Sequence, residues 1–181
     1  MFKDGKIPLL CYSCAEFNEL AQRKGWGRDG AGLDEDLCVV SILSAQDQNL
    51  YGDRRWFTYN TSRICILSFY DNGLSDESAI DGFDFTKPST EHIYIDGRYN
   101  PMSSGQAAYL VRFLDRNIEE GRGVLVHCSA GSSRSQGVVR YILDTYPDIE
   151  WVMRRDNPCL TPNMHVVRML KRAYNVIQSS D

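Results

Sequence analysis

The sequence predicts an α/β fold: a single domain in which a mostly parallel central sheet is flanked by helices. Short apolar segments of strand type alternate along the chain with segments of helical periodicity, as in parallel strands joined by crossover helices. The strand-type segments are continuous apolar runs, which is typical of strands buried on both faces. With 181 residues, 43% of them hydrophobic, the chain can close one sizeable core, so we expect residues 1–181 to form one domain.

The first half of the chain predicts a strand, a helix and two further strands. The run "IPLLCYS" predicts the first strand, and Ser13 is placed to cap a helix through "CAEFNELAQRKG" that ends at Gly25. The runs "LCVVSIL" and "RICILSFY" predict two more buried strands. Between these two, residues 45–60 are expected to form a loop whose Trp56 and Phe57 fill the core; the alternative is that this segment forms part of a cleft wall.

The next elements are a strand at "EHIYI" and an amphipathic helix. Ser103 or Ser104 is expected to cap this helix, and Gly121 is expected to stop it. The helix carries a single apolar stripe that predicts packing against the sheet; its members are Ala107, Leu110, Val111, Leu114 and Ile118.

The last third of the chain predicts one strand and two helices. The apolar segment 123–126 predicts a strand, and a helical period begins at Ser135. For the final helix, we expect Thr161 as the cap and Pro162 at the first helical position, where its missing N–H is of no consequence.

The segment "HCSAGSSRS" lies between the predicted strand and the helix that follows it. Cys128 and Arg134 are six positions apart, and the residues between them carry little side-chain bulk, so their backbone N–H groups can turn inward around one point. Those residues are Ser129, Ala130, Gly131, Ser132 and Ser133. Amides that open onto a helix N-terminus bind anions, and an arginine can grip two oxygens of one phosphate. The sequence therefore predicts a phosphate-binding loop at residues 127–135.

Cys128 lies at the floor of this predicted loop. The surrounding amide dipoles and the Arg134 charge favour the thiolate form, and a thiolate in a phosphate cradle is a nucleophile aimed at phosphorus. The alternative is an inert cysteine at the end of a core strand, which is the commoner fate of cysteine. The flanking His127, Gly131 and Ser135 make a chance match rare, and we therefore favour the nucleophile.

"HCSAGSSRS" resembles the His-Cys-x5-Arg-Ser/Thr signature of cysteine-dependent protein tyrosine and dual-specificity phosphatases. Resemblance to the compact dual-specificity branch extends from about Glu91 to the end of the chain, and more loosely back to Leu37. It implies that Cys128 is the nucleophile and that Arg134 is the phosphate clamp.

The same resemblance implies two supporting residues beside the nucleophile. Ser135 would provide the hydroxyl that stabilises the thiolate when it leaves phosphorus. His127 would orient the loop by hydrogen bonding, a role that is also compatible with an ordinary buried histidine of the core.

Cleavage of a phosphate ester also needs a proton for the leaving oxygen. In the enzymes that the chain resembles, an aspartate on a loop about thirty residues before the cysteine supplies it. Asp96 lies 32 positions before Cys128, directly after "EHIYI", although an aspartate before glycine is also a common turn residue. We assign the acid to Asp96 and keep Asp71 as the alternative, because "RICILSFYDNG" also ends a strand with an aspartate.

Composition narrows the partners and the location. The net charge is −4, so no basic field favours nucleic acid or an anionic membrane surface, and no apolar run is long enough to span a membrane. The six cysteines without a secretory segment predict reduced thiols in the cytoplasm. The Cys11-x-x-Cys14 pair has no second pair at metal-ligand spacing, so we expect no metal and no cofactor.

These observations together predict a protein phosphatase that forms a cysteinyl-phosphate intermediate and releases inorganic phosphate. Phosphotyrosine protein is the favoured substrate, with phosphoserine and phosphothreonine as further candidates, and Tyr70, Tyr94, Tyr99 and Trp56 as candidate walls of the cleft. The loop lacks the lysines that relatives acting on inositol phospholipids carry. The alternatives are a weakly catalytic phosphopeptide-binding module, a phosphatase for a non-protein ester, and a sulfur transferase of the rhodanese kind.

Overall fold

The described part of the chain contains a five-stranded sheet in which the pairings are parallel, with strand order β3-β2-β4-β1-β5. The structure, a computed structural model, describes residues 6–71, 101–147, 149–153 and 161–180. Its elements are β1 (Ile7–Ser13), α1 (Cys14–Lys24), β2 (Leu37–Ile42), α2 (Ala45–Tyr51), β3 (Ile64–Leu67), α3 (Ser104–Glu119), β4 (Gly123–Cys128), α4 (Arg134–Thr145), β5 (Trp151–Met153) and α5 (Met164–Gln178). The predicted α/β fold with a parallel sheet is confirmed; that residues 1–181 form a single domain stays a prediction.

Apolar cores cover both faces of the sheet. Successive residues of a strand point to opposite faces, so Leu9 and Cys11 belong to one core, whereas Leu10 belongs to the other. The larger core takes the apolar stripes of α3, α4 and α5, and the smaller one takes Phe17 and Ala21 of α1. The central strand β4 is therefore buried along its whole length, as its continuous apolar sequence predicts.

The helix boundaries of α1 and α3 follow the predicted local signals. The Ser13 hydroxyl accepts a hydrogen bond from the backbone N–H of Glu16, whose carboxylate accepts one from the Ser13 N–H. Gly25 ends α1 in the left-handed conformation, with φ of 69°. Ser103, rather than Ser104, caps α3.

The predicted cap of α5 is wrong. The helix begins at Met164, and the side chain of Asn163 caps it by accepting a hydrogen bond from the backbone N–H of Val166. Thr161 instead donates its hydroxyl to the carbonyl of Ser132 in the phosphate-binding loop, at 3.4 Å. The chain entering α5 is thereby joined to that loop.

Residues 45–60 contain a helix where the sequence predicted only a loop. A capping box formed by Ser44 and Asp47 begins α2 directly after β2. Phe57 fills the smaller core as predicted, with 1% of its surface exposed, and half-buried Trp56 packs against the same core.

The predicted strand "EHIYI" and Asp96 lie outside the described residues. No helix in the described part of the chain has both the length and the apolar character needed to cross a membrane.

Candidate active site

The predicted phosphate-binding loop lies at the carboxyl edge of the parallel sheet. β4 ends at Cys128, and the ends of β2 and β3 are adjacent, so the residues after these three strands surround one cavity of about 460 Å³. Six of the lining residues come from the predicted loop: Cys128, Ser129, Ala130, Ser132, Ser133 and Arg134. The others follow β2 and β3: Ser44, Gln46, Asp47, Asp53, Tyr70 and Asp71.

The small residues of the loop are held by hydrogen bonds with Gln136 and Asp71. Gly131 adopts φ of 71°, a conformation that side chains with a Cβ disfavour, and its carbonyl accepts a hydrogen bond from Gln136 at 3.1 Å. At the N-terminus of α4, the Ser133 side chain makes no capping hydrogen bond, because its hydroxyl donates to Asp71. Uncapped N–H groups at a helix start are available to an anion.

Cys128 lines the cavity, and the fully buried Ser135 lies behind it. The Cys128 Sγ lies 3.1 Å from the Ser135 Oγ, and 2% of the cysteine surface is exposed. The hydroxyl is therefore placed to donate to the sulfur whenever the sulfur carries negative charge.

Arg134 is held in the cavity wall by a two-pronged ion pair with Asp47. Its two terminal nitrogens lie 2.8 and 3.0 Å from the two Asp47 oxygens, and one of them also donates to the carbonyl of Phe69. The Nε of Arg134 is buried and has no hydrogen-bond partner among the described residues. A buried N–H donor without a partner is uncommon in folded proteins, and an anion beside Arg134 would be one way to satisfy it.

The charges of this pair support each other. Burial alone would raise the pKa of Asp47, but the hydrogen bonds and charge of Arg134, with those from Ser44, outweigh burial and hold it below its usual value. Burial would lower the pKa of Arg134, and the hydrogen bond and charge of Asp47 outweigh that effect and raise it. Both groups therefore remain charged at neutral pH, although only 4% of Arg134 and 5% of Asp47 is exposed.

That His127 orients the loop by hydrogen bonding stays a prediction, and the described residues provide no such bond. Neither ring nitrogen has a hydrogen-bond partner within the described ranges, and the ring instead stacks on Phe17 with centroids 4.1 Å apart. Burial lowers the pKa of His127 to about 3, so the imidazole is neutral. Gln136, which the sequence analysis did not single out, donates its side-chain amide N–H to the Gly131 carbonyl within the loop at 3.1 Å.

Asp71 is placed at the cavity, whereas Asp96 lies outside the described residues. The Asp71 Oδ1 accepts hydrogen bonds from the Ser133 hydroxyl at 2.6 Å and from the Asn163 side-chain amide at 2.8 Å. A third carboxylate, Asp53, accepts a hydrogen bond from the Ser129 hydroxyl.

The sequence analysis missed Gln136, Asp47, Asp53 and Asn163, and it predicted the aromatic walls in part. Asp47 had a readable signal, because Ser44 three residues earlier forms a capping box with it. Asp53 and Asn163 had none beyond their residue type. Of the candidate walls, Tyr70 lines the cavity, Trp56 instead donates its indole N–H to the carbonyl of Trp26, and residues 94 and 99 lie outside the described ranges.

Two solved structures are similar to this chain. The crystal structure of the human tyrosine phosphatase-like serine/threonine/tyrosine-interacting protein has 20% sequence identity, covers 79% of each chain, and has a TM-score of 0.40. The crystal structure of Tk-PTP in the active form has 14% identity, covers 98% of this chain and 92% of that chain, and has a TM-score of 0.35. No family model and no curated protein matches the chain.

Proposed function

We propose that this protein is a cysteine-dependent phosphatase that hydrolyses phosphate monoesters, with phosphotyrosine protein as its main substrate. The observation that carries the proposal is the arrangement at the cavity floor, where the Cys128 Sγ lies 3.1 Å from a hydroxyl and shares the cavity with a buried, anchored arginine. This arrangement provides a nucleophile, an anion clamp and a group that stabilises the departing sulfur.

The proposed reaction has two steps. In the first, the Cys128 sulfur attacks phosphorus, the bond between phosphorus and the ester oxygen breaks, and a carboxylic acid protonates that oxygen. Arg134 and the amides of residues 129–134 hold the other phosphate oxygens throughout. In the second step, the same carboxylate takes a proton from water, which attacks phosphorus, and inorganic phosphate leaves while the electron pair of the broken bond returns to sulfur.

Two aspartates are candidates for the acid. The family resemblance implies Asp96, whereas the geometry supports Asp71, which lines the cavity and is fixed through its Oδ1 by Ser133 and Asn163. Asp47 is engaged by Arg134, so it is not available for this role. We therefore propose Asp71 as the acid, with Asp96 as the alternative.

Separate Asp71→Asn and Asp96→Asn variants test this choice. The variant that lacks the acid is expected to lose about 10²- to 10⁴-fold in kcat on an aryl phosphate with a poorly acidic leaving group. The same variant should lose much less on a strongly acidic leaving group, because such an oxygen departs without a proton. If Asp71→Asn retains full activity on both substrates, Asp71 is not the acid.

The function is tested by steady-state assay of the full chain on matched phosphotyrosine, phosphothreonine and soluble phosphoinositide substrates. We expect the highest kcat/KM on phosphotyrosine and no turnover by Cys128→Ser. Tight phosphopeptide binding without hydrolysis would instead support a binding module, and turnover of thiosulfate would support a sulfur transferase. Either result would reject the proposal.

The charges around the cavity predict a preference among phosphotyrosine peptides. Arg134 is the one cation in the described part of the lining, and Asp47 already neutralises it, while Asp53 adds negative charge. We expect lysine or arginine beside the phosphotyrosine to raise kcat/KM by up to about five-fold over aspartate or glutamate, and added salt to reduce the difference.

Matched peptides that differ only in flanking charge provide the measurement, at low and high ionic strength. The Asp53→Asn variant keeps an acceptor for the Ser129 hydroxyl but removes one charge, so it should narrow the preference. Equal kcat/KM for both peptides at low salt would contradict the prediction.

A further inference from the structure

The Ser135 hydroxyl lies between two sulfur atoms. Its Oγ is 3.1 Å from the Cys128 Sγ on one side and 3.4 Å from the Cys11 Sγ on the other. Cys11 belongs to β1, adjacent to β4, and is fully buried, as is Ser135. The contact therefore connects two neighbouring strands beneath the phosphate-binding loop.

The neighbouring groups favour one direction for the hydrogen bonds of Cys11. The Gln136 side-chain amide nitrogen, which can only donate, lies 3.1 Å from the Cys11 Sγ, so the sulfur accepts there. The proton of the thiol is then left for an acceptor. Two are within reach, the Ser135 Oγ at 3.4 Å and the carbonyl of Gly131 at 3.6 Å.

The nearer acceptor is also the less occupied one. The Gly131 carbonyl already accepts a hydrogen bond from the same Gln136 nitrogen at 3.1 Å, which favours donation by Cys11 to Ser135. A hydroxyl has one proton and two lone pairs. When Ser135 accepts from Cys11, its own proton can be directed to the Cys128 sulfur.

We propose that Cys11 is a positioning residue for the phosphatase reaction: it directs the Ser135 proton toward the Cys128 sulfur. The proposal rests on the proposed function above. In the second step, the sulfur–phosphorus bond breaks and its electron pair stays on sulfur, which the Ser135 hydroxyl stabilises by donating a hydrogen bond without losing its proton. The proton of the attacking water goes to the carboxylate, so Cys11 takes part in no bond change.

The hydrogen bond from Ser135 to the Cys128 sulfur is expected to affect the breakdown of the cysteinyl-phosphate rather than its formation. A hydrogen bond to the sulfur stabilises it as a leaving group in the second step, whereas it gives no help to its attack in the first. Loss of Cys11 is therefore expected to slow breakdown of the cysteinyl-phosphate and to lower kcat, while kcat/KM, which reports the first step, is retained when it is measured at a pH where the Cys128 sulfur is ionised in both proteins.

Cys11→Val and Cys11→Ser test the proposal with side chains of similar size. Valine removes the hydrogen bonds of the residue 11 side chain with Gln136 and Ser135. We expect kcat and KM to fall together by about 3- to 10-fold. The initial burst of released phenol should rise, because the phosphoenzyme accumulates. Serine keeps a donor and an acceptor and should retain the wild-type kcat. In a Ser135→Ala background, Cys11→Val should cause no further loss, because its effect passes through Ser135.

A second readout does not depend on turnover. Iodoacetamide alkylates Cys128, and mass mapping gives the rate at each pH. The midpoint of the curve of rate against pH should lie at higher pH in Cys11→Val than in the wild type and should be unchanged in Cys11→Ser. An unchanged midpoint in Cys11→Val, or an equal fall of kcat and kcat/KM, overturns the proposal. If Cys11→Val shifts the midpoint but the wild-type protein hydrolyses no phosphate ester, the result would support the positioning role of Cys11 on the Cys128 sulfur and reject the phosphatase function.

Discussion

Replacement of Cys128 by serine is expected to abolish turnover of an aryl phosphate, with a loss of about 10⁴- to 10⁶-fold in kcat. The adjacent His127 is not placed to activate a serine hydroxyl at this position, because its buried ring stacks on Phe17 and has no hydrogen-bond partner among the described residues. The loop amides and Arg134 are untouched by the substitution. Binding of phosphate or vanadate should therefore remain detectable by calorimetry.

Cys14→Ser provides the matched control for this variant. Cys14 directly follows Ser13, which pairs with Cys128 across β1 and β4, and it is also buried. Burial, followed by the charge of Asp53, raises the pKa of Cys14 to about 12, so its thiol is not a nucleophile at neutral pH. Cys14→Ser should retain turnover. Loss of activity in both variants alike would indicate a general effect on folding, and turnover by Cys128→Ser would refute the covalent route.

The second large effect is expected at Asp47. Asp47→Asn leaves the buried Arg134 guanidinium without its counterion, and breaking a buried ion pair in this way costs about 3–5 kcal/mol of unfolding free energy. The guanidinium also loses the two-pronged contact that fixes its position, because asparagine keeps only one acceptor oxygen, so kcat/KM should fall by about 10²-fold. Urea unfolding and steady-state kinetics at pH 7 measure the two effects.

The stability difference depends on pH in a defined direction. Arg134 holds the pKa of Asp47 in the folded protein below 3.8, the value for the free side chain, although burial acts against this. The contribution of Asp47 is therefore fully present above about pH 3.8 and is lost as the pH falls through the lower folded value. Wild type and Asp47→Asn should converge in stability in that acidic range.

Asp53→Asn is the matched control for Asp47→Asn. It removes a carboxylate that lines the same cavity but has a hydroxyl, rather than a guanidinium, as its described partner. We expect a change in unfolding free energy of less than about 1 kcal/mol. If Asp47→Asn and Asp53→Asn destabilise the protein equally, the ion pair with Arg134 does not have the role described here.

The sequence predicted those features whose causes are local. Ser13 and Gly25 set the ends of α1 through contacts within a few residues, and small residues between Cys128 and Arg134 produce the loop. The predicted cap of α5 is wrong, although Thr161 and Asn163 are both residue types that favour caps. Asn163 caps the helix because the Thr161 hydroxyl bonds to the loop carbonyl of Ser132.

The features that the sequence did not predict depend on contacts between distant positions. Asp47 and Arg134 are 87 positions apart, and Gln136 and Cys11 are 125 apart, so no local pattern relates them. The stacking of His127 on Phe17 arises because α1 packs across the end of β4, which only the folded sheet brings about.

If the phosphoryl group is transferred to the sulfur of Cys128, the cysteinyl-phosphate can be trapped during turnover. The protein would be mixed with an aryl phosphate, denatured within the first turnovers, digested and examined by mass spectrometry. We expect one phosphoryl group on the peptide that contains Cys128 in the wild-type protein and none on the corresponding peptide of Cys128→Ser. Turnover of the substrate with no phosphoryl group on Cys128, or with one on another residue, would contradict transfer to Cys128.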